Sequence, residues 1–164
     1  MKTLIICDID GTIADNNHRL HHITGEKKDW DSFHKLSRDD ERIETTCKML
    51  RGVCGGDEDK IVFLTARSDK YEAITADWLF CNVLQLGVCC EWELVMRKEG
   101  DYREHEKVKY ELYCQKIEPL VPEYDRVICF EDHPGVQDMW RGMGFDVVCI
   151  HNEHYQVNGE IKEE

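Results

Sequence analysis

The sequence has only three prolines and no apolar stretch long enough to cross a membrane. A transmembrane helix needs about 20 largely apolar residues. Here charged residues make up 34% of the 164-residue chain and interrupt every apolar run. The segment MKTLIICDID lacks a small-residue cleavage site and turns acidic at once, so a secretory signal is not expected. We therefore expect a cytoplasmic protein that does not bind a membrane.

The nine cysteines include no CxxC pair and follow no regular spacing. An odd number of cysteines without such spacing argues against a disulfide framework and against a zinc site. Cys7, Cys129 and Cys149 lie in apolar, strand-like runs, where cysteine acts as a small core residue. We expect reduced thiols and no bound zinc.

Positive charge is also scarce, because the formal net charge is −13 and the isoelectric point is near 5.0. Proteins that hold long nucleic acids present basic stripes on their surface. An extended nucleic-acid groove is therefore not expected. A local basic pocket for one phosphate, or a site for a divalent cation, remains compatible with this charge.

Strand-like and helix-like segments alternate along the chain. Short apolar runs predict strands at Leu4–Ile9, Ile61–Leu64, Leu94–Met96, Val127–Phe130 and Val147–Ile150. Apolar residues three and four apart predict helices at Glu41–Leu50, Asp69–Leu86, His105–Ile117 and Pro134–Met143. This alternation predicts an α/β fold: a Rossmann-like parallel sheet with helices on both faces.

The length suits one domain, which we place at residues 1–152. Residues 15–40 fit neither period and predict a small cap or loop insertion after the first strand. Trp30 and Phe33 in this insertion could stack on a nucleobase or pack inside the cap. Residues 153–164 end in GEIKEE and predict an acidic C-terminal tail.

Polar residues follow three of the predicted strands. Asp8 and Asp10 lie at the end of the first strand, and Thr65 and Arg67 follow the second. The fourth strand is followed by the acidic pair Glu131 and Asp132. Ligands of open parallel sheets bind beyond the carboxyl ends of the strands. Each group alone could be a helix cap, but three at one edge predict a shared site.

Carboxylates gathered at one edge repel each other. A magnesium ion relieves this repulsion, because Mg²⁺ takes oxygen ligands and combines a few carboxylates with water and a substrate phosphate. Thr65 and a nearby lysine would then hold phosphate oxygens. A carboxylate that the metal leaves partly available can attack phosphorus. The sequence therefore predicts a Mg²⁺-dependent phosphoryl-transfer site.

Four segments resemble the motifs of the haloacid dehalogenase (HAD) superfamily. DIDGTIAD resembles the first motif, Asp-x-Asp-Gly-Thr, and FLTAR resembles the second. Lys109 in HEKVKYELY resembles the helix-borne lysine of the third, and FEDHPGV resembles the acidic fourth motif. Arg19 in DNNHRL and Arg67 after Thr65-Ala66 extend the likeness to the phosphatase domain of phage-type polynucleotide kinase–phosphatase, over most of the chain.

This resemblance implies a phosphomonoesterase that removes 3′-phosphates from nucleic-acid ends through an aspartyl-phosphate. It implies that Asp8 is the nucleophile and that Asp10 is the general acid and then the base. Thr65 and Lys109 would hold the phosphoryl oxygens. The implied substrate contacts are Arg19, Arg67, Ala66 and Gly11. The implied Mg²⁺ ligands are Asp8, Asp132 and the backbone carbonyl of Asp10, with Glu131 ranking below them.

The sequence departs from the family pattern at three points. It has no GxxxxGK[ST] loop, so 5′-kinase activity is not expected. The acidic pair is Glu131-Asp132 where the family usually has two aspartates. His105 stands four residues before Lys109, where several family members carry an acid.

Two other functions remain open at this stage. A free nucleotide phosphatase, acting on 5′- or 3′-nucleotides, fits the net acidity and small size, whereas Arg19 and Arg67 favour a polynucleotide end. A non-catalytic scaffold would be expected to carry damaged motifs, and the five key residues are all present. The sequence identifies no protein partner.

Overall fold

The computed structural model describes residues 1–153. Five strands form its main sheet: β1 (Thr3–Cys7), β4 (Lys60–Ser68), β5 (Glu91–Arg97), β6 (Arg126–Glu131) and β7 (Asp146–Cys149). Their order is β5-β4-β1-β6-β7, and every pairing is parallel. The predicted α/β fold is confirmed. Apart from Glu153, the predicted acidic tail at 153–164 lies outside the described residues.

The helices of the described chain connect these strands. The α-helices are α1 (Trp30–Lys35), α2 (Glu44–Val53), α3 (Glu72–Asn82), α4 (His105–Leu112) and α5 (Pro134–Gly142). A π-helical turn follows α4 at Tyr113–Ile117. Short 3₁₀ helices lie at Asn17–His22, Leu36–Asp39, Asp69–Tyr71, Leu84–Leu86 and Glu118–Glu123. Gly87 ends the second predicted helical segment, Asp69–Leu86, in a left-handed conformation, φ 101°, which glycine adopts at low cost.

Two apolar layers cover the two faces of the sheet. Ile5 and Cys7 of β1 belong to one layer, whereas Leu4 and Ile6 belong to the other. This alternation follows from the two-residue period of a strand. Burying each large aliphatic side chain contributes about 1.5–3 kcal/mol. The central strands are therefore held firmly from both sides, and so are the loops at their carboxyl ends.

The first strand ends earlier than the sequence predicted. β1 stops at Cys7 rather than Ile9, because the backbone turns there and the amides of Thr12, Ile13 and Ala14 all donate to the Ile9 carbonyl. The second predicted strand instead runs on to Ser68, with an irregular pairing between Thr65 and Ser68. Both changes lie at the carboxyl edge of the sheet, where the backbone leaves regular pairing.

A two-residue ladder closes the base of the insertion. In it, β2 (Ala14–Asp15) pairs antiparallel with β3 (Glu41–Arg42). Phe33 is buried inside the insertion, with the Arg19 guanidinium 4.1 Å from its ring centroid. Trp30 remains 41% exposed. The insertion is thus a small cap with its own core, and Trp30 lies on its surface.

The cysteines only partly follow the prediction. Cys7 and Cys129 are buried as expected, but Cys149 is exposed because β7 lies at the edge of the sheet. The expectation of reduced thiols throughout was wrong, since Cys54 and Cys90 form a disulfide. Each precedes a strand that begins at the same end of the sheet, a proximity that their spacing in the sequence does not reveal.

No helix among residues 1–153 combines the length and the apolar character that crossing a bilayer requires.

Candidate active site

A small cavity lies beyond the carboxyl ends of β1, β4 and β6. Its volume is about 40 Å³, and it is lined by Asp8, Asp10, Thr65, Ala66, His105, Lys109, Glu131, Asp132 and His133. The fold therefore brings together residues from all four sequence motifs. Gly11 lies against the same acids, whereas Arg19 and Arg67 lie behind Asp10.

Lys109 is the cation at the centre of the acidic residues. Its Nζ lies 2.8 Å from Asp8 Oδ1 and donates to Glu131 Oε2 at 2.7 Å. The lysine is 2% exposed. Burial alone would lower the pKa of Lys109, but the two carboxylates outweigh it and raise the pKa. Lys109 therefore carries a positive charge between the first and fourth motifs.

Three carboxylates surround this lysine. Asp8, Glu131 and Asp132 are buried, and each offers an oxygen within 4.8 Å of the others. The Thr12 hydroxyl lies between two of them, 3.3 Å from Asp8 Oδ2 and 3.4 Å from Asp132 Oδ1. Burial, followed by the charges of Asp8 and Glu131, raises the pKa of Asp132 to about 8. Three acids with one lysine leave this centre short of positive charge.

The donor atoms of this centre suit a hard divalent cation. The three clustered ligand groups are carboxylates, and neither histidine nor cysteine contributes to that cluster within the described residues. Magnesium prefers such oxygen donors, whereas zinc favours nitrogen and sulfur. The residues present therefore fit Mg²⁺.

Gly11 allows Asp132, which directly follows β6, to approach the first motif. Its φ of +77° is a conformation that side-chain-bearing residues rarely adopt. A Cβ there would lie 2.1 Å from Asp132 Oδ2 and 2.3 Å from Asn152 Nδ2. Asn152 in turn donates to Asp132 Oδ2 at 2.7 Å. Glycine is thus the residue that fits at this position.

Asp10 faces a different set of partners. Arg67 donates from Nε to Asp10 Oδ2 at 2.8 Å and from Nη2 to Oδ1 at 2.7 Å. The Nη2 group of Arg19 also donates to Oδ1. Burial would raise the pKa of Asp10, but the two arginines outweigh it and hold that pKa well below its usual value. The Asp10 carboxylate is therefore ionised and turned toward the arginines.

Asp40 is a site residue that sequence reasoning missed. It is buried at the end of the cap, where it accepts from Arg19 Nε at 2.7 Å and from Arg67 Nη2 at 3.0 Å. Its backbone carbonyl accepts from Trp78 Nε1 at 2.8 Å. Asp10 and Asp40 thus balance two fully buried guanidiniums. In the sequence Asp40 lies within the mixed-charge run RDDER, which gives no sign of this role.

His105 occupies the cavity wall where some relatives carry an acid. Desolvation of the ring, then the charges of Lys109 and Arg97, lower the pKa of His105, although part of the residue is exposed to solvent. Its imidazole is consequently neutral near pH 7. The His133 ring lies 5.7 Å from it, at the start of α5. His105 therefore gives the cavity wall a polar group without a charge near pH 7.

Three solved structures share this fold. The chain in a Pnkp1/Rnl/Hen1 complex has a TM-score of 0.66 and 21% identity over 91% of this chain and 46% of its own length. A second structure, of the Pnkp1/Rnl/Hen1 RNA repair complex, has a TM-score of 0.65 and 21% identity over 91% of this chain and 42% of its own length. A class C acid phosphatase from Bacillus anthracis with tungstate bound has a TM-score of 0.51 and 15% identity over 99% of this chain and 74% of its own length. At these identities the likeness concerns the fold.

The chain spans less than half the length of the two Pnkp1 chains. No curated protein sequence matches it. A sequence profile described as the polynucleotide kinase PNKP phosphatase domain, however, matches residues 2–155. That match includes every strand and α-helix of the described chain together with the acidic centre. The chain therefore belongs to the family of PNKP-type phosphatase domains and is a HAD-type phosphoric monoester hydrolase.

Proposed function

We propose that the chain is a Mg²⁺-dependent phosphatase that removes the 3′-phosphate from a nucleic-acid end. The observation that carries this proposal is the separation of Asp8 from Asp10. Asp8 lies in the acidic centre with Lys109, whereas Asp10 is bound by Arg19 and Arg67. Two carboxylates in such different surroundings suit two different chemical roles.

In the proposed reaction, a carboxylate oxygen of Asp8 attacks phosphorus and the bond to the 3′-oxygen breaks. Asp10 gives its proton to that leaving oxygen. Asp10 then takes a proton from water, which attacks the aspartyl-phosphate, releases inorganic phosphate and restores Asp8. Lys109 and Thr65 line the same cavity, and we expect them to hold phosphoryl oxygens.

Asp10 cannot donate a proton while both arginines hold it ionised. Substrate binding would relieve this, because phosphate oxygens compete with Asp10 for the same guanidinium donors. Asp40 would keep Arg19 and Arg67 in place as they change partners, since it binds both. We therefore expect phosphate binding and protonation of Asp10 to be coupled.

The residues that would hold Mg²⁺ are Asp8 and Asp132, with the backbone carbonyl of Asp10. Glu131 ranks below them, because it is the longer glutamate at a position where the family pattern has an aspartate. Once bound, the ion would neutralise carboxylate charge and help to orient the phosphate. We further propose residues 1–152 as one catalytic domain, with 15–40 as its cap.

The metal requirement gives the first prediction. Enzyme treated with chelator should lose at least 90% of its phosphate release, and added Mg²⁺ should restore it, whereas Zn²⁺ should not. Metal titrations into chelated enzyme, followed by released phosphate, measure this. A melting curve of the chelated protein serves as the control for folding. Full activity without metal, or with zinc alone, would contradict the proposed centre.

The position of the phosphate gives the second prediction. A 3′-phosphorylated dinucleotide and a 3′-phosphorylated twenty-mer should both be cleaved, with kcat/KM values that differ little between them. The net charge of −13 gives no attraction to distant backbone phosphates, so the dependence on salt should be shallow. The assay compares these substrates with 3′- and 5′-mononucleotides at two salt concentrations.

The alternative is a free nucleotide phosphatase, which the net acidity favours. It would be supported if a 5′-mononucleotide exceeded all the 3′-phosphorylated substrates by tenfold or more in kcat/KM. A steep rise of kcat/KM with the length of the oligonucleotide would instead indicate an extended basic groove. Because two similar structures come from Pnkp1/Rnl/Hen1 complexes, one described as an RNA repair complex, the oligonucleotides should be tested as both RNA and DNA.

A further inference from the structure

Arg97, at the carboxyl end of β5, carries buried donors without acceptors. Its Nη1 donates to the backbone carbonyl of Asp101 at 3.3 Å. Its Nε and Nη2 are buried and have no hydrogen-bond partner within residues 1–153. Leaving charged donors buried and unpaired is costly, and such groups in a folded protein call for an explanation. A bound anion would provide the missing acceptors.

Arg97 lies at the rim of the proposed active site. It pairs in register with Ser68, which follows Thr65 and Arg67 on the neighbouring strand. Its charge acts on His105, which lines the cavity. It also acts on His34 of the cap, which in turn feels the charge of Asp10. Tyr71, three residues after Ser68, has its ring centroid 4.9 Å from that of His34, so the strand end beside Arg97 adjoins the cap as well as the segment that carries Thr65.

His34, in α1 of the cap, carries a second buried polar atom without a partner among the described residues. Its Nδ1 is buried and has no hydrogen-bond partner within the described chain. Its ring is fixed between Trp30, stacked at 6.0 Å, and Tyr71, whose ring centroid is 4.9 Å away. Burial is the largest cause that lowers the pKa of His34 to about 4, although Asp10 opposes it. His34 is thus fixed against Tyr71, in the segment that directly follows Ser68, the register partner of Arg97.

The other buried cations near the cavity already have carboxylate partners. Arg19 and Arg67 are bound to Asp10 and Asp40, and Lys109 is bound between Asp8 and Glu131. Within residues 1–153, Arg97 hydrogen-bonds to no carboxylate and only to a backbone carbonyl. It is therefore placed to meet a second anionic group of the substrate.

We propose that Arg97 and His34 form a subsite for the phosphodiester next to the 3′-phosphate that is removed. This inference rests on the proposed function and refines its substrate class. A guanidinium suits two oxygens of a phosphate at once, and a neutral imidazole adds one hydrogen bond. A mononucleotide lacks this diester, whereas a dinucleotide has it. The subsite would thus select the end of a strand over a free nucleotide.

The test measures binding and turnover separately. Binding is measured in an Asp8→Asn background, which should hold substrate without cleaving it, with a 3′-phosphorylated dinucleotide and a 3′-mononucleotide. The dinucleotide should bind at least tenfold more tightly. Arg97→Met should weaken dinucleotide binding about 10- to 100-fold, as expected for the loss of a charged hydrogen bond. The effect on the mononucleotide should be at least tenfold smaller.

Arg126→Met is the matched control. Arg126 is an exposed arginine at the start of β6, at the opposite end of the sheet, and it pairs with Asp146. Its loss changes the net charge equally and should leave the dinucleotide preference intact. Arg97→Met should change the melting temperature little, because two of the three nitrogens it removes have no acceptor within residues 1–153 and only the bond to the Asp101 carbonyl is lost. A purely structural role would lower the melting temperature and weaken both ligands equally.

The two proposals fail in different ways. Equal affinity for the two ligands, or a dinucleotide preference that survives Arg97→Met, would overturn the subsite even if 3′-phosphates are cleaved. An Arg97-dependent preference in binding, without cleavage of any 3′-phosphate by the unsubstituted enzyme, would support the subsite and overturn the proposed function.

Discussion

Asp8→Asn should lower kcat by at least ~10⁴-fold, because an amide cannot act as the anionic nucleophile that forms the aspartyl-phosphate. Asparagine has nearly the same shape as aspartate, so the surrounding packing should be retained. The substitution also removes one charge from a centre that holds three carboxylates and one lysine. The melting temperature should consequently stay the same or rise.

Phosphate release in the steady state measures this effect, and a melting curve of the same preparation reports on the fold. The matched control is Asp138→Asn, which changes an exposed carboxylate on α5 that forms an ion pair with Arg141 on the same helix. Asp138→Asn should keep full activity. Activity of Asp8→Asn within tenfold of the unsubstituted enzyme would show that Asp8 is not the nucleophile.

Lys109→Met should damage both stability and catalysis. It leaves Asp8 and Glu131 buried without the cation that now lies within 2.8 Å of each. Removing one partner of a buried ion pair typically costs about 3–5 kcal/mol. Removing a group that stabilises charge on the reacting phosphate should lower kcat by a further ~10²- to 10³-fold.

The stability loss should depend on pH in a defined direction. Burial raises the pKa of both Glu131 and Asp132 above their usual values, so the folded protein holds protons more tightly than the unfolded chain. Their destabilising effect is therefore absent at low pH and grows as pH rises toward about 8. The loss in free energy of unfolding caused by Lys109→Met should therefore be larger at pH 8 than at pH 5.

Urea unfolding at both pH values, with and without Mg²⁺, measures these effects. Magnesium should recover part of the lost stability, because it supplies the missing positive charge to the carboxylates. Lys107→Met is the control on the same helix, since this exposed lysine forms a surface ion pair with Glu104. A deficit for Lys109→Met that is equal at both pH values would contradict the electrostatic explanation.

The first motif could be predicted from the sequence because its residues are neighbours in the chain. A buried strand followed by Asp8, Asp10 and Gly11 fixes where those groups lie, and the edge rule for parallel sheets then places Thr65 and Asp132 nearby. The profile match covers all of these positions. The individual roles of the site residues remain predictions that the substitutions above would test.

The sequence did not reveal contacts that depend on how the cap folds back. Asp40 reaches Arg19 from 21 positions away and Arg67 from 27 positions away. Nothing in a mixed-charge run distinguishes one buried aspartate from its exposed neighbours. The same applies to Asn152, which reaches Asp132 across 20 positions, and to the Cys54–Cys90 disulfide. Local patterns specify elements, whereas these contacts depend on the path of the connecting loops.

The central position of β1 also determines when the site can form during folding. Thr3 of β1 pairs with Arg126 of β6, and Leu4 pairs with Lys60 of β4, so both neighbours come from distant parts of the chain. Long-range pairing of this kind is slow, because a large loop must close before the contacts repay its entropy. A partly folded chain that lacks β6 has neither Glu131 nor Asp132 beside Asp8. Recovery of enzyme activity would consequently be a late event in refolding and a sensitive measure of complete assembly.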